Sequence, residues 1–125
     1  SLLRDALEKK LVDYVAMDVK APLSSYYKTV GRPVNTDALK ESIDILLNAS
    51  IPYEFRTTVV KALLSPEDLE EIVREISGAK RYYLQKFIPS NILNPQFKRK
   101  VTYTDEEFEQ FQKTAQKYVA YCGIR

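Results

Sequence analysis

Three strand-like runs alternate with amphipathic helical stretches along this chain, and no other feature of its 125 residues restricts the fold as much. Tyr14 to Val19 (YVAMDV), Tyr53 to Val60 (YEFRTTVV) and Arg81 to Ile88 (RYYLQKFI) carry the strand-forming residues. Thr36 is expected to cap a helix with Asp37 in its first turn, and Leu39, Ile43, Leu46 and Leu47 form its apolar stripe. Ser65 and Pro66 open the next helix, with Leu69, Ile72, Val73 and Ile76 on the buried side and Gly78 as the expected C′ residue. Thr104 and Glu107 make a capping box ahead of Phe108, Phe111, Ala115 and Tyr118. The opening stripe Leu3, Leu7, Leu11 starts abruptly, as though cut from something longer, and Val119 to Cys122 is expected to be a last short strand. Strands separated by helices pair in parallel through right-handed crossovers. The fold class is therefore α/β, with three to four parallel strands in a single unit spanning 1–125.

The strand faces choose between the two common parallel architectures. A doubly wound sheet is covered on both sides, so its central strands read as almost continuously apolar. Here Glu54, Arg56 and Thr58 share one face of the second strand, while Tyr53, Phe55, Thr57 and Val59 occupy the other. Asp18 and Lys20 likewise share a face, and Gln85 lies between Tyr83 and Phe87. Polar residues on one face of neighbouring parallel strands fit a barrel lumen, so the expectation is part of a barrel.

What the sequence lacks limits its chemistry. It contains no His and one Cys, so a Ser-His or Cys-His nucleophile, a closed zinc site and a cysteine-ligated cluster are all excluded within these residues. No apolar run reaches the ~20 residues of a membrane helix, Ser1 to Lys10 lacks the apolar stretch of a signal peptide, and one Cys suits a reducing compartment. The expected location is the cytoplasm. A net charge of +2 commits the chain to no polyanion.

Asp18 and Lys20 stand at the end of a parallel strand, where α/β proteins place ligands. Asp can accept hydrogen bonds from sugar hydroxyls, and Lys can hold a carboxylate or phosphate; a mutual ion pair is the plainer alternative. Arg56 on a lumen face has to be paired or bind an anion, and its internal partners would be Glu54 or Asp18. Thr58 and Gln85 on the same walls can orient a ligand. Two connections exceed the usual βα length: 21–35, containing Tyr26 and Tyr27, where Pro22, Gly31 and Pro33 are expected to prevent regular structure, and 89–103, containing Asn91, Asn94 and Lys98-Arg99-Lys100.

The strings DYVAMDVKAPLSSYY, IPYEFRTTVV and YYLQKF, in register from Leu11 to Asn91, resemble the radical SAM activating enzymes. The likeness is to the anaerobic ribonucleoside-triphosphate reductase activating proteins and their pyruvate formate-lyase activating relatives. It implies a partial (β/α)₆ TIM-like barrel around a [4Fe–4S] cluster and S-adenosylmethionine, with this chain as its C-terminal part. It further implies reductive cleavage of the sulfonium and hydrogen abstraction from a glycine of a glycyl radical enzyme, the electron coming from a flavodoxin or ferredoxin. Asp18 would meet the ribose and Lys20 the methionyl carboxylate, with Arg56, Thr58 and Gln85 along the same wall. The cluster's Cys-x-x-x-Cys-x-x-Cys is absent from these residues, so the chain alone is expected to be inactive. Where formate-lyase activators carry a His, Gln85 or a neighbour stands.

Two rival readings follow from the residues. Lys20 as the Schiff-base nucleophile of an aldolase-type barrel would use Asp18 or Glu54 to move protons. The basic segment 80–100 would serve a non-catalytic RNA-binding module. An incomplete barrel also leaves a strand edge unpaired, so self-association or a loosened first strand is expected.

Overall fold

In the computed structural model, which describes residues 2–8, 13–87 and 101–125, four strands form one parallel sheet. They are β1 (Val15–Asp18), β2 (Tyr53–Val59), β3 (Tyr82–Lys86) and β4 (Cys122–Ile124), side by side in chain order. An order without reversal, joined by right-handed crossovers, puts the connecting helices on one side, as in an arc of a barrel. The helices are α1 (Leu2–Glu8), α2 (Tyr26–Val30), α3 (Thr36–Leu47), α4 (Pro66–Glu75) and α5 (Asp105–Ala115). None among the described residues is long and apolar enough to cross a membrane.

The helix side of the sheet is the core. Tyr53, Phe55, Val59, Tyr82 and Leu84 are buried against Ile43, Leu46, Leu69, Ile72, Val73 and Phe108, each full burial contributing about 1.5–3 kcal/mol. One polar chain crosses this core: the Tyr82 hydroxyl donates to Thr57 Oγ1 at 2.6 Å, and the Thr57 hydroxyl donates to the Val19 carbonyl at 2.8 Å. That chain fastens the residue between Asp18 and Lys20 to the middle of the sheet.

Local chemistry explains both the expected and the unexpected boundaries. Ser65 and Thr104 cap α4 and α5, each in a reciprocal box, with Asp68 and Glu107 returning the hydrogen bond. The cap of α3 is Asn35 rather than Thr36; its side-chain oxygen accepts from the Ala38 N–H at 3.0 Å. The connection 21–35 is not irregular throughout, since a 3₁₀ turn (Leu23–Ser25) leads into α2. Gly31, at φ 74°, ends α2 as its left-handed C-cap rather than preventing it.

Gly78, at φ 90°, is not the C′ residue but lies one position beyond it, because the cap of α4 is Ile76 and Ser77 follows as C′. The last strand is Cys122–Ile124, not Val119 to Cys122. The N–H groups of Lys117, Tyr118 and Val119 are consumed in bonds back to Thr114 and Ala115, so the ladder starts only afterwards. β1 stops at Asp18 and β3 at Lys86, each shorter than the pattern suggested. Leu11, Ile88, most of 89–103 and the run Lys98-Arg99-Lys100 lie outside the described residues. Among the described residues β1 and β4 are edge strands with one neighbour each.

Candidate functional site on the polar face of the sheet

Away from the helices the sheet shows its polar face, and the strand register dictates who meets whom. Asp18 stands opposite Arg56, and Thr58 opposite Gln85. Directly opposed residues in a parallel pair share a face, and both pairs are bonded. Arg56 Nε donates to Asp18 Oδ1 at 2.9 Å, and the Thr58 hydroxyl donates to Gln85 Oε1 at 3.1 Å. The internal pair is thus Asp18–Arg56, rather than Asp18–Lys20 or Glu54–Arg56. It is open to solvent, with side-chain exposures of 52 % for Asp18 and 31 % for Arg56.

These two rungs border a cleft of about 380 Å³ at the carboxyl ends of β1 and β2. Asp18, Lys20, Thr29, Arg32, Thr58 and Leu63 line it. Three of the five residues singled out from sequence therefore face one cleft, while Arg56 and Gln85 back them as hydrogen-bond partners. Arg32 and Thr29 were not anticipated; the only signal was their place in an overlong βα connection. A larger groove of about 570 Å³ runs between α4 and α5, on the helix side and away from these groups.

The connection that carries Lys20 is held firmly. The Lys20 backbone N–H donates to the hydroxyl of buried Tyr26 at 3.3 Å. Burial, and then the Asp18 charge, keep that phenol above its ordinary range despite this bond. Further on, the Leu23 N–H donates to both carboxylate oxygens of Glu75, at 2.8 and 3.1 Å. Burial and the neighbouring Glu71 raise the Glu75 carboxyl above the usual range, against the opposing effect of that hydrogen bond. Lys20 itself is exposed at the cleft.

A second polar constellation fills the opposite, amino-terminal part of the face. The Tyr14 hydroxyl donates to Glu54 Oε1 at 2.7 Å, and Arg125 Nη1 donates to Glu54 Oε2 at 2.9 Å. To reach Glu54, Arg125 passes over β3 with its guanidinium 3.6 Å from the Tyr83 ring centre. Burial, then the bond to Glu54 and its charge, push the Tyr14 phenol up. Gly123 makes the passage possible, because a Cβ there would lie 2.7 Å from the Tyr83 ring. Sequence reasoning missed Tyr14 and Arg125 here, because Gly123 is known to stand opposite Tyr83 only from the β3–β4 register.

The cleft and its surroundings fit a ligand with hydroxyl and anionic groups, but they do not fit an iron–sulfur cluster. Among the described residues no three His, Cys, Asp or Glu side chains gather where a metal could sit. Cys122 is buried, and desolvation pushes its thiol up to about 12, the opposite of what a thiolate ligand needs.

No protein-family profile matches this chain, and no solved structure does. A protein of Methanocaldococcus jannaschii that carries the name glycyl-radical enzyme activating enzyme is 30 % identical to it over an alignment of 129 residues. The alignment takes in 99 % of this chain and 53 % of that relative. The chain is thus similar, along nearly its whole length, to about half of a protein bearing that name.

Proposed function

We propose that this chain is the C-terminal wall of a radical SAM enzyme that activates a glycyl radical enzyme. The observation that carries the reading is the convergence of Asp18, Lys20 and Thr58 on one cleft at the carboxyl ends of parallel strands. In that cleft Asp18 accepts hydrogen bonds from the ribose hydroxyls of S-adenosylmethionine, and Lys20 opposes its methionyl carboxylate. Arg56 fixes the Asp18 carboxylate through its Nε–H, so one oxygen stays turned to the ligand. Thr58, anchored to Gln85, adds a hydroxyl to the wall. With a reduced cluster held by other residues of the complete enzyme, bound S-adenosylmethionine would supply the radical chemistry that activating the partner's glycine requires.

With no His and a single Cys this chain cannot itself hold a cysteine-ligated cluster, and in this reading the complete enzyme provides the ligands from other residues, with an electron donor of flavodoxin or ferredoxin type. The same reading makes the open β1 edge a pairing site, so the chain alone self-associates, which light scattering measures. Lys20 lies exposed rather than in the apolar pocket that would activate it as a Schiff-base amine. Of the basic segment, Lys86 is already paired to Asp105 at 2.8 Å and Arg81 donates to the Tyr53 carbonyl.

The test is anaerobic expression of the complete reading frame, followed by iron reconstitution. A brown cluster and 5′-deoxyadenosine release in the presence of reductant are expected, with both S-adenosylmethionine affinity and product falling in Asp18→Asn and Lys20→Ala. Absence of the cluster and of 5′-deoxyadenosine would reject the reading.

A further inference from the structure

Glu54 lies between two arginines on one strand face. Arg125 reaches it from β4, across Tyr83, and Arg56 sits two residues along β2 on the same side. The structure gives Glu54 to Arg125 and leaves Arg56 to Asp18. The two carboxylates differ sharply in burial, at 7 % side-chain exposure for Glu54 against 52 % for Asp18. A buried carboxylate without a cation is far more costly than the loss of an exposed pair. The pairing therefore stands only while Glu54 is already satisfied.

We infer that Arg125 is a positioning residue: by holding Glu54 it keeps that carboxylate from capturing Arg56, and so leaves Arg56 to orient Asp18. The inference rests on the reading above only in treating Asp18 and Arg56 as part of a ligand site; the charge exchange itself needs no ligand. Removing the Arg125 cation swings Arg56 from Asp18 to Glu54 and leaves Asp18 free. Arg81, another cation on this face, is tied to the Tyr53 carbonyl at the start of the sheet, at 3.3 Å. Tyr14 satisfies one Glu54 oxygen with a neutral hydroxyl and cannot replace a cation.

The experiment follows the side-chain Nε–Hε resonance of Arg56 by NMR, assigned by its loss in Arg56→Lys. In the unmodified protein the resonance is expected to shift with Asp18→Asn and to stay in place with Glu54→Gln. In an Arg125→Gln background the responses exchange, Glu54→Gln moving it and Asp18→Asn not. Glu54→Gln with Arg125→Gln restores the original behaviour. A residue that merely held β4 in place would lower stability without changing which carboxylate Arg56 senses.

Three outcomes would overturn the inference. Arg56 could keep following Asp18 in Arg125→Gln; Arg81 could answer Glu54 instead; or Arg125→Gln could fail to fold while the double variant folds, showing that Arg56 does not take over. S-adenosylmethionine binding is read separately. If the resonances exchange but Arg125→Gln binds S-adenosylmethionine as the unmodified protein does, the positioning role in binding is overturned. If the complete, cluster-loaded enzyme binds none, the ligand reading fails while the exchange stands.

Discussion

The two ends of the polar face use the same chemistry under different solvation. At the cleft, an arginine and a carboxylate meet at 2.9 Å in the open. At the amino-terminal end another such pair meets at the same distance, but its carboxylate is under Tyr14 and beside an arginine lying on Tyr83. Water screens the first pair, so it contributes about 0–1 kcal/mol and its members are free to exchange partners with a ligand. The second cannot be taken apart without stranding a buried charge. An exchangeable pair therefore sits beside a locked one, two positions apart along β2.

Removing both cations near Glu54 should show the contrast most strongly. Arg56→Gln combined with Arg125→Gln leaves a buried carboxylate with only a neutral donor, and about 3 kcal/mol of stability should be lost, at the lower end because Arg125 is itself half exposed. Urea unfolding measures it. An effect below about 1 kcal/mol would mean that the lower constellation is as loosely held as the cleft.

The next effect is steric. Gly123→Ala places a methyl 2.7 Å from the Tyr83 ring and 3.1 Å from the Tyr121 hydroxyl, so the Arg125 stack has to shift. A loss of about 1–3 kcal/mol is expected by thermal or urea unfolding, as for other over-packed sites. Thr58→Ala, a change of similar size at the cleft, should fall well below it.

A pH titration separates the core under the face from the face itself. The Cys122 thiol is raised from 9.0 to about 12 by burial, so the folded chain keeps a proton that the unfolded chain releases. Its contribution is complete below about pH 9 and is lost as pH rises towards about 12, by roughly 1.4 kcal/mol per unit within that window. The same burial should leave the thiol unmodified by alkylating reagents at pH 8 until the chain unfolds. Cys122→Ala should flatten the alkaline limb; an unchanged limb would point to another group.

How much of this was legible beforehand depends on how local the cause is. Ser65 with Pro66 and Thr104 with Glu107 carry their helix starts within four residues, and the polar side of β2 follows from a period of two. Asp18 and Lys20 could be placed at a strand end without knowing the neighbour. Pairing could not be read so easily. Whether Arg56 meets Asp18 or Glu54 depends on the β1–β2 register and on an arginine 71 residues beyond Glu54. The boundary misses had competing local causes: Asn35 outbid Thr36 as a cap by one position, and helix-end bonds delayed β4. The α2 turn was hidden because Gly31 and Pro33 look alike as helix breakers, although Gly31 here only ends a helix that has already formed.

The smallest expected effect on stability is at the cleft, and its smallness is what makes that end suitable for binding. Asp18→Asn keeps the shape and a carbonyl acceptor for Arg56 while removing the charge, and Lys20→Ala removes an exposed cation at the cleft. Each should change unfolding free energy by less than about 1 kcal/mol, and the Asp18 effect should shrink further in high salt, because an exposed pair is screened. Ligand affinity in the complete enzyme should nevertheless fall by about tenfold or more, since a lost charged contact of about 1.4 kcal/mol has that consequence. If Asp18→Asn instead destabilises the chain as much as the loss of both arginines, the two ends of the face are not different in kind. Asp18 would then be holding the sheet together, and a ligand that displaced Arg56 from it would unfold the wall it binds to.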